Sequence, residues 1–139
     1  MERPVDISNF YFPKVDQEID INIRGPMHLA IGLVEHFKSK PRATIVNVSS
    51  VLGYTPTSII NPVYNGSKAW LHFWTMTLRT QLSESSDGKN VEAIEIAPPT
   101  VATDLHGNRH RQAPDDNKKD KNPNALDVSE FMGFMRKGL

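Results

Sequence analysis

Apolar residues along the first third of the chain recur at the spacing of one helix face. From residue 19 onward they are separated by steps of four, four, three, four and three, which is the stripe of an amphipathic helix. The stripe consists of Ile19, Ile23, Met27, Ala30, Val34 and Phe37. Lys40-Pro41-Arg42 then ends the pattern. The sequence therefore predicts one long helix over residues 14–38.

Two short apolar segments rich in β-branched residues alternate with the helices. Residues 43–49 are nearly continuous in apolar character, which predicts a strand covered on both faces. Residues 91–97 predict a second strand that ends at Pro98. Between them, aromatic and leucine residues at steps of three and four predict a helix over residues 63–82. The order helix, strand, helix, strand predicts two parallel strands joined by a right-handed crossover.

This order places the chain in the α/β class, with a doubly wound parallel sheet that is incomplete at both ends. An isolated two-stranded ribbon is marginally stable, so we expect the chain to be part of a larger domain of this kind. Residues 103–124 are polar and predict a mobile loop. Residues 131–136 predict a final short helix, capped by residues 127–130.

The composition indicates one globular domain, residues 1–139, without a strong charge. The chain carries 16 basic and 16 acidic side chains, and this zero net charge argues against a nucleic-acid partner or a membrane surface. It contains no Cys, which excludes a disulfide framework and a thiolate metal site. Neither a signal-peptide core nor an apolar run of roughly 18 residues is present, so we expect a cytoplasmic protein without a membrane span.

Tyr64 and Lys68 are the first candidates for chemistry. They lie four residues apart at the start of the second predicted helix, so both side chains project from one face. The pair is a weak signal alone. However, Ser49 and Ser50 close the first strand at its carboxyl end, where α/β sheets place ligands, and the helix begins after a loop at that same end. The sequence therefore predicts one site for Tyr64, Lys68 and Ser50.

Four motifs in this order resemble those of the short-chain dehydrogenase/reductase family. They are Asn22-Ile23-Arg24-Gly25, Val46-Asn47-Val48-Ser49-Ser50 with Gly53, Tyr64-Asn65-Gly66-Ser67-Lys68, and residues 98–103. Together they extend from residue 15 to about residue 105, which is most of the chain. The resemblance implies a partial Rossmann-like fold and an NAD(P)-dependent oxidoreductase that transfers hydride between nicotinamide and an alcohol or carbonyl substrate.

The resemblance also implies a role for each residue of the site. Tyr64 would be the general acid/base, Lys68 would stabilise its phenolate and bind the nicotinamide ribose, and Ser50 would hold the substrate oxygen. Asn22 would lie at a bend in the long helix, where its carbonyl holds a water that links the lysine to solvent. Pro26, four residues later, has no N–H to donate to that carbonyl and would reinforce the bend.

Contacts to the cofactor and the substrate follow from the same resemblance. NAD or NADP would contact Lys68, Tyr64, Pro98, Val101 and Thr103. A small-molecule alcohol or carbonyl substrate would lie between residues 52–60 and residues 105–117, against Ser50, Leu52, Tyr54, Ile59 and Leu105. The family pairs its two long helices with those of a partner, so a homo-oligomer through these helices is expected.

One motif of the family, the glycine-rich turn that cradles the pyrophosphate, has no counterpart in the sequence. The chain thus resembles the catalytic half of the family's domain without most of its cofactor half, and cofactor binding by this chain alone is open. The alternative is a truncated, catalytically inactive relative that acts at most as a helix-pairing interaction module. A metal site at His106 and His110 lacks a third ligand, and a Ser50/Lys68 hydrolase dyad lacks a nucleophile elbow.

Overall fold

A computed structural model describes residues 10–55, 61–101 and 125–138. The chain divides into two compact units, Arg3–Ala97 and Pro98–Leu139. Within the described ranges, no helix combines the length and the apolar character that crossing a membrane requires.

The predicted long helix is present but is interrupted by a wider turn. Helix α1 spans Phe12–Ile19, a π-helical turn spans Asp20–Arg24, and helix α2 spans Gly25–Lys38. The amide of Gly25 donates to the carbonyl of Asp20, five residues earlier, which is the π-helical hydrogen bond. Pro26 follows directly and cannot donate to Asn22, so the regular α-helical ladder is broken at the position where the sequence predicts a disturbance.

The two predicted strands and the helix between them are confirmed. Strand β1 spans Ala43–Val48, helix α3 spans Pro62–Glu84 and strand β2 spans Val91–Ile96. The strands pair in parallel, with Ala43 opposite Val91 and Val48 opposite Ile96. Each predicted strand extends one residue beyond its observed end, and α3 is longer than the prediction at both of its ends.

One apolar cluster joins the two long helices to one face of the sheet. It contains Ala30, Leu78, Leu82, Val91 and Ala93, with Ile45 packed against it. The alternating residues Val46 and Val48 of β1 are 42% and 51% exposed. The expectation that this strand is covered on both faces is therefore wrong for the described residues, because α2 and α3 both pack on the face that carries Ile45 and Ala93.

Asn90 connects the end of α2 to the beginning of β2. Its side-chain Nδ2 donates to the carbonyls of Phe37 and Lys38 at 3.2 and 3.0 Å. Its own carbonyl accepts from the amide of Ala43 at 2.9 Å. Asn90 thus supplies side-chain donors to carbonyls at the helix end, and its backbone carbonyl aligns the beginning of β1 with that of β2.

The second unit contains helix α4, which spans Val128–Gly138. Val101 and Leu126 form a parallel bridge before it, and the amide of Leu126 donates to the carbonyl of Thr100 at 3.0 Å. The helix begins three residues before the predicted one and ends two residues after it. The predicted loop over residues 103–124 lies outside the described residues.

Candidate active site

The carboxyl end of β1 carries two buried hydroxyls. Ser49 and Ser50 are 3% and 8% exposed, and the amide of Ser49 donates to the carbonyl of Ile96 at 2.8 Å. Ser50 ends the extended backbone and caps a 3-10 turn at Val51–Gly53, where its Oγ accepts from the amide of Leu52 at 3.2 Å. A hydroxyl that accepts in this way keeps its own hydrogen, so Ser50 can donate to a second group.

Gly53 brings this turn against the backbone of α3. A Cβ at Gly53 would lie 2.8 Å from the carbonyl carbon of Lys68 and from the amide nitrogen of Ala69. Because these neighbours are backbone atoms of a helix, they cannot move aside, and only a residue without a side chain allows this approach. The turn that begins at Ser50 is therefore held directly beside Lys68.

Tyr64 and Lys68 lie in the first two turns of α3. Pro62 is the first residue of the helix, a position where its missing N–H costs no hydrogen bond. Tyr64 is 9% exposed, and the Nζ of Lys68 is 5.6 Å from the centroid of its ring. The same Nζ donates to the carbonyl of Val48 at 2.9 Å, at the end of β1. The lysine therefore joins the tyrosine to the strand end that continues into Ser49 and Ser50.

Burial disfavours the charged form of Lys68. It lowers the pKa of Lys68 below its ordinary value of 10.5, whereas the negative charge of Glu18 on α1 acts in the opposite direction. Glu18 is itself 5% exposed. Lys68 thus releases its proton more readily than a surface lysine, which suits a group that takes part in proton exchange.

Asn22 is tied to the same helix from the π-helical turn. Its Nδ2 donates to the Oγ of Ser67 at 3.1 Å, and that Oγ donates to the carbonyl of Tyr64 at 2.7 Å. Asn22 and Ser67 are 8% and 2% exposed. The contact spans 45 residues of sequence and fixes the π-helical turn against the beginning of α3.

These contacts connect all four predicted catalytic residues within the first unit. Asn22 reaches the backbone of Tyr64 through Ser67, Lys68 lies over the Tyr64 ring, and the turn that Ser50 caps packs against Lys68. Their assignment as catalytic residues remains a prediction.

The predicted substrate and cofactor contacts are distributed less evenly. Leu52 is half-buried in the 3-10 turn. The hydroxyl of Tyr54 lies 2.7 Å from the Nδ1 of His72, which ties it to α3. Pro98 and Val101 belong to the second unit. Ile59, Thr103 and Leu105 lie outside the described residues.

Two polar residues of this region are absent from the sequence prediction. His72 follows Lys68 by one helical turn, and its Nδ1 is 2.7 Å from the Oε2 of Glu95 on β2. Two signals in the sequence point to this pair. The spacing of four residues places His72 on the same side of α3 as Lys68, and Glu95 is a charged residue near the end of an otherwise apolar strand.

A groove of about 420 Å³ runs beside the site, between α2 and β1. It is lined on one side by Asn22, Pro26 and Leu33, and on the other by Val46, Val48 and Lys68. In the part of the chain that the structure describes, no group of three metal-ligating side chains occurs.

Comparison with known proteins identifies relatives of the chain. The short chain dehydrogenase family matches residues 1–114. The chain is 43% identical to the uncharacterized oxidoreductase DltE of Bacillus subtilis over 89 residues. This matched region is 64% of this chain and 33% of DltE. It is 33% identical to the short-chain dehydrogenase virD of Hypocrea virens over 105 residues, and this matched region is 73% of this chain and 33% of virD. The chain spans about a third of the length of these two relatives.

Solved structures show the same fold. A short-chain dehydrogenase from Sphingobium yanoikuyae in complex with NADPH is similar with a TM-score of 0.75 and 21% identity, over 98% of this chain and 51% of that one. A 3-ketoacyl-(acyl-carrier-protein) reductase from Brucella melitensis complexed with NADH has a TM-score of 0.67 and 19% identity, over 96% of this chain and 55% of that one. These similarities confirm the predicted fold class, a partial α/β Rossmann-like fold.

Proposed function

Because this chain belongs to the short chain dehydrogenase family, we propose that it acts as an oxidoreductase that interconverts an alcohol and a carbonyl compound with NAD or NADP. One observation carries the proposal: the Nζ of Lys68 lies 5.6 Å from the centroid of the Tyr64 ring and 2.9 Å from the carbonyl of Val48. This contact gives a buried phenol a neighbouring cation at the strand end that continues into Ser50. The family match and the oxidoreductase relatives favour an enzyme over an inactive interaction module.

Tyr64 is the general acid/base in this proposal. A phenol has an ordinary pKa of about 10, so it exchanges protons at neutral pH only where its anion is stabilised. A neighbouring cation favours the anion, and the Nζ of Lys68 lies over the Tyr64 ring, 5.6 Å from its centroid. Tyr64 then gives a proton to the substrate oxygen during reduction and takes one from it during oxidation.

Ser50 orients the substrate oxygen. Its Oγ already accepts from the amide of Leu52, so its own hydrogen is available to another acceptor. Because the capped turn is held against α3 at Gly53, this donor is in place before the substrate arrives. Such a preformed donor stabilises developing charge on an oxygen without reorganisation during the reaction.

Asn22 supports Lys68 from the π-helical turn. Its side chain holds Ser67, the residue directly before Lys68, through the hydrogen bond of 3.1 Å. Its carbonyl cannot accept from Pro26, and we assign to it a water that connects Lys68 to solvent. A proton that Tyr64 loses would be replaced through Lys68 and this water.

Lys68 and Tyr64 fit the nicotinamide ribose of either cofactor. Lys68 has three N–H donors, and the Val48 carbonyl takes one, which leaves two for the ribose hydroxyls. Pro98, Val101 and Thr103 are the proposed contacts to the carboxamide. When bound, the cofactor supplies or accepts the hydride.

The proposed substrate is a small alcohol or carbonyl compound, held by Ser50, Leu52, Tyr54, Ile59 and Leu105.

We further propose a cytoplasmic protein that pairs through its long helices. Leu29 and Ile31 on α2 and Phe73 on α3 are 64%, 60% and 67% exposed, so both helices present apolar surface. Sedimentation of the chain and of Phe73→Ser tests the pairing. We expect the mass of a dimer for the chain and a larger fraction of monomer for the variant, and the mass of a monomer for the unsubstituted chain would contradict the pairing.

Titration of the purified 139-residue chain with NADH and with NADPH tests the activity. We expect saturable binding, seen as a change in nicotinamide fluorescence, and turnover of a panel of aldehydes and ketones. Tyr64→Phe should keep the binding and lose the turnover, whereas the matched variant Tyr11→Phe, at a residue that is 59% exposed, should keep both. No binding of either cofactor up to millimolar concentration would favour the interaction module.

A further inference from the structure

A second polar cluster lies one helical turn from Lys68. The Nδ1 of His72 is 2.7 Å from the hydroxyl of Tyr54 and 2.7 Å from the Oε2 of Glu95. The rings of Tyr54 and His72 have centroids 4.5 Å apart. Tyr54, His72 and Glu95 form a clamp that joins three elements of the first unit, namely the turn after β1, helix α3 and strand β2.

Glu95 is the charged centre of the clamp. Its side chain is 10% exposed, and that of His72 is 25% exposed. Burial disfavours the carboxylate, but the neighbouring polar groups of Ser49, Tyr54 and His72 outweigh burial and lower the pKa of Glu95 below its ordinary value of 4.5. Glu95 is therefore an anion at neutral pH and attracts the donors around it.

The positions of the hydrogens follow from these short contacts. If the Nδ1 of His72 were unprotonated, its lone pair would face a carboxylate oxygen at 2.7 Å with no proton between the two atoms. Nδ1 therefore carries the hydrogen and donates to Glu95. The Tyr54 hydroxyl keeps its own proton, since partial burial and the Glu95 carboxylate raise the pKa of Tyr54 to about 12. Its oxygen lies 2.7 Å from the same protonated Nδ1 and therefore accepts from it. The anion thus fixes the His72 ring, and the His72 ring fixes the Tyr54 hydroxyl.

The clamp closes the turn that Ser50 begins. The carbonyl of Ser50 accepts from the amide of Gly53 at 2.9 Å, and the carbonyl of Val51 accepts from the amide of Tyr54 at 3.0 Å. Tyr54 is thus the residue at which the turn ends, and Ser50 is the residue that caps its beginning. Fixing the Tyr54 hydroxyl limits the motion of the turn and, with it, of the Ser50 hydroxyl.

We propose that Glu95 is a positioning residue, which holds the Ser50 hydroxyl in place for the reaction by fixing His72 and Tyr54. This inference rests on the proposed function, because it requires Ser50 to hold the substrate oxygen. Glu95 acts through the turn and does not contact the substrate. Its loss should therefore lower the rate of the chemical step more than it weakens substrate binding.

Three variants of the full chain test the proposal. Tyr54→Phe removes one hydroxyl and keeps the ring contact with His72. Glu95→Gln keeps the shape and an acceptor oxygen, whereas Glu95→Leu removes both acceptors. We expect kcat to fall about tenfold in Tyr54→Phe and Glu95→Leu and less in Glu95→Gln. KM should stay within about twofold of wild type in the two Glu95 variants, whereas Tyr54→Phe is compared by kcat alone, because Tyr54 is also a proposed substrate contact.

Two further measurements do not depend on activity. Amide hydrogen exchange should accelerate about tenfold at Leu52 and Gly53 in Tyr54→Phe, while exchange at the centre of α3 stays unchanged. Nitrogen chemical shifts should show the Nδ1–H tautomer of His72 in the wild type and its loss in Glu95→Leu. The matched controls Glu92→Gln on β2, at a side chain that is 55% exposed, and Tyr11→Phe should match the wild type in every measurement.

The outcomes separate the two hypotheses. A wild-type chain with turnover, and a Tyr54→Phe variant with unchanged kcat, would overturn the positioning role and leave the proposed function intact. Faster exchange at Gly53 with unchanged kcat would overturn it too, since the clamp would then be structural only. A wild-type chain that binds neither cofactor refutes the proposed function and removes the role in the reaction with it. Unfolding of Glu95→Leu leaves the decision to Glu95→Gln, in which an unchanged kcat would overturn the positioning role.

Discussion

Replacement of Gly53 by alanine tests how closely the Ser50 turn must approach α3. The new Cβ would lie 2.8 Å from backbone atoms of Lys68 and Ala69, where 3.4 Å is the beginning of ordinary contact. The turn must therefore retreat by about 0.6 Å, because the helix backbone cannot yield. Overpacking of this kind typically costs about 1 to 3 kcal/mol, and we expect the free energy of unfolding to fall by that amount.

Urea unfolding of Gly53→Ala beside Gly32→Ala measures this effect. Gly32 lies inside α2 with nothing within 4 Å of its added Cβ, so its replacement should raise the free energy of unfolding by about 0.5 to 1 kcal/mol. The backbone of Gly53 has no positive φ, so strain of the dihedral angles does not contribute to the difference. If Gly53→Ala proves as stable as Gly32→Ala, the close approach is not required and the reasoning is refuted.

Three further substitutions probe other contacts by urea unfolding. Asn90→Ala should cost about 1 to 2 kcal/mol, because the carbonyls of Phe37 and Lys38 each lose a side-chain donor, and no change would contradict this capping role. Thr75→Val should lower the free energy of unfolding by about 1 to 3 kcal/mol, since Thr75 is 0% exposed and accepts from Asn47 at 2.8 Å. The control Thr77→Val, at an exposed residue of the same helix, should change the free energy of unfolding by less than about 0.5 kcal/mol. Glu95 has a lowered pKa in the folded state, so its stabilisation is present above about pH 4.5 and is lost on further acidification. The stability difference between the wild type and Glu95→Gln should therefore shrink between pH 6 and pH 3, and a constant difference would refute the pKa argument.

Periodicity predicts the helices and strands of the first unit because each depends on neighbouring residues. The stripe from Ile19 through Ile23 to Met27 even contains a signal of the wider turn. Two successive steps of four residues exceed the 3.6 residues of an α-helical turn, and a π-helical turn keeps such residues in line. Pro26 indicates the same interruption, but neither signal distinguishes a kink from a π-helical turn.

Contacts between distant segments are harder to predict. Asn22 and Ser67 are 45 residues apart, and His72 and Glu95 are 23 apart, so only the packing of α3 on both the sheet and the first helix brings them together. The prediction that β1 is covered on both faces fails for a similar reason. An apolar run shows which residues favour burial but does not show where the covering helices lie, and Val46 is left 42% exposed.

The π-helical turn allows the two halves of one continuous helix, α1 and α2, to pack in two different directions. Each residue of an α-helix advances the side chain by about 100° around the axis, so one extra residue in a turn rotates everything after it by about that angle. Before this offset, α1 packs against α3, and after it, α2 packs against β1. Removal of one residue within Asp20–Arg24 would restore a uniform helical spiral, in which only the N–H that Pro26 lacks would be missing from the hydrogen bonds. It would also rotate α1 away from α3 or α2 away from β1. At this position a regular helix and the packing of both halves therefore exclude each other.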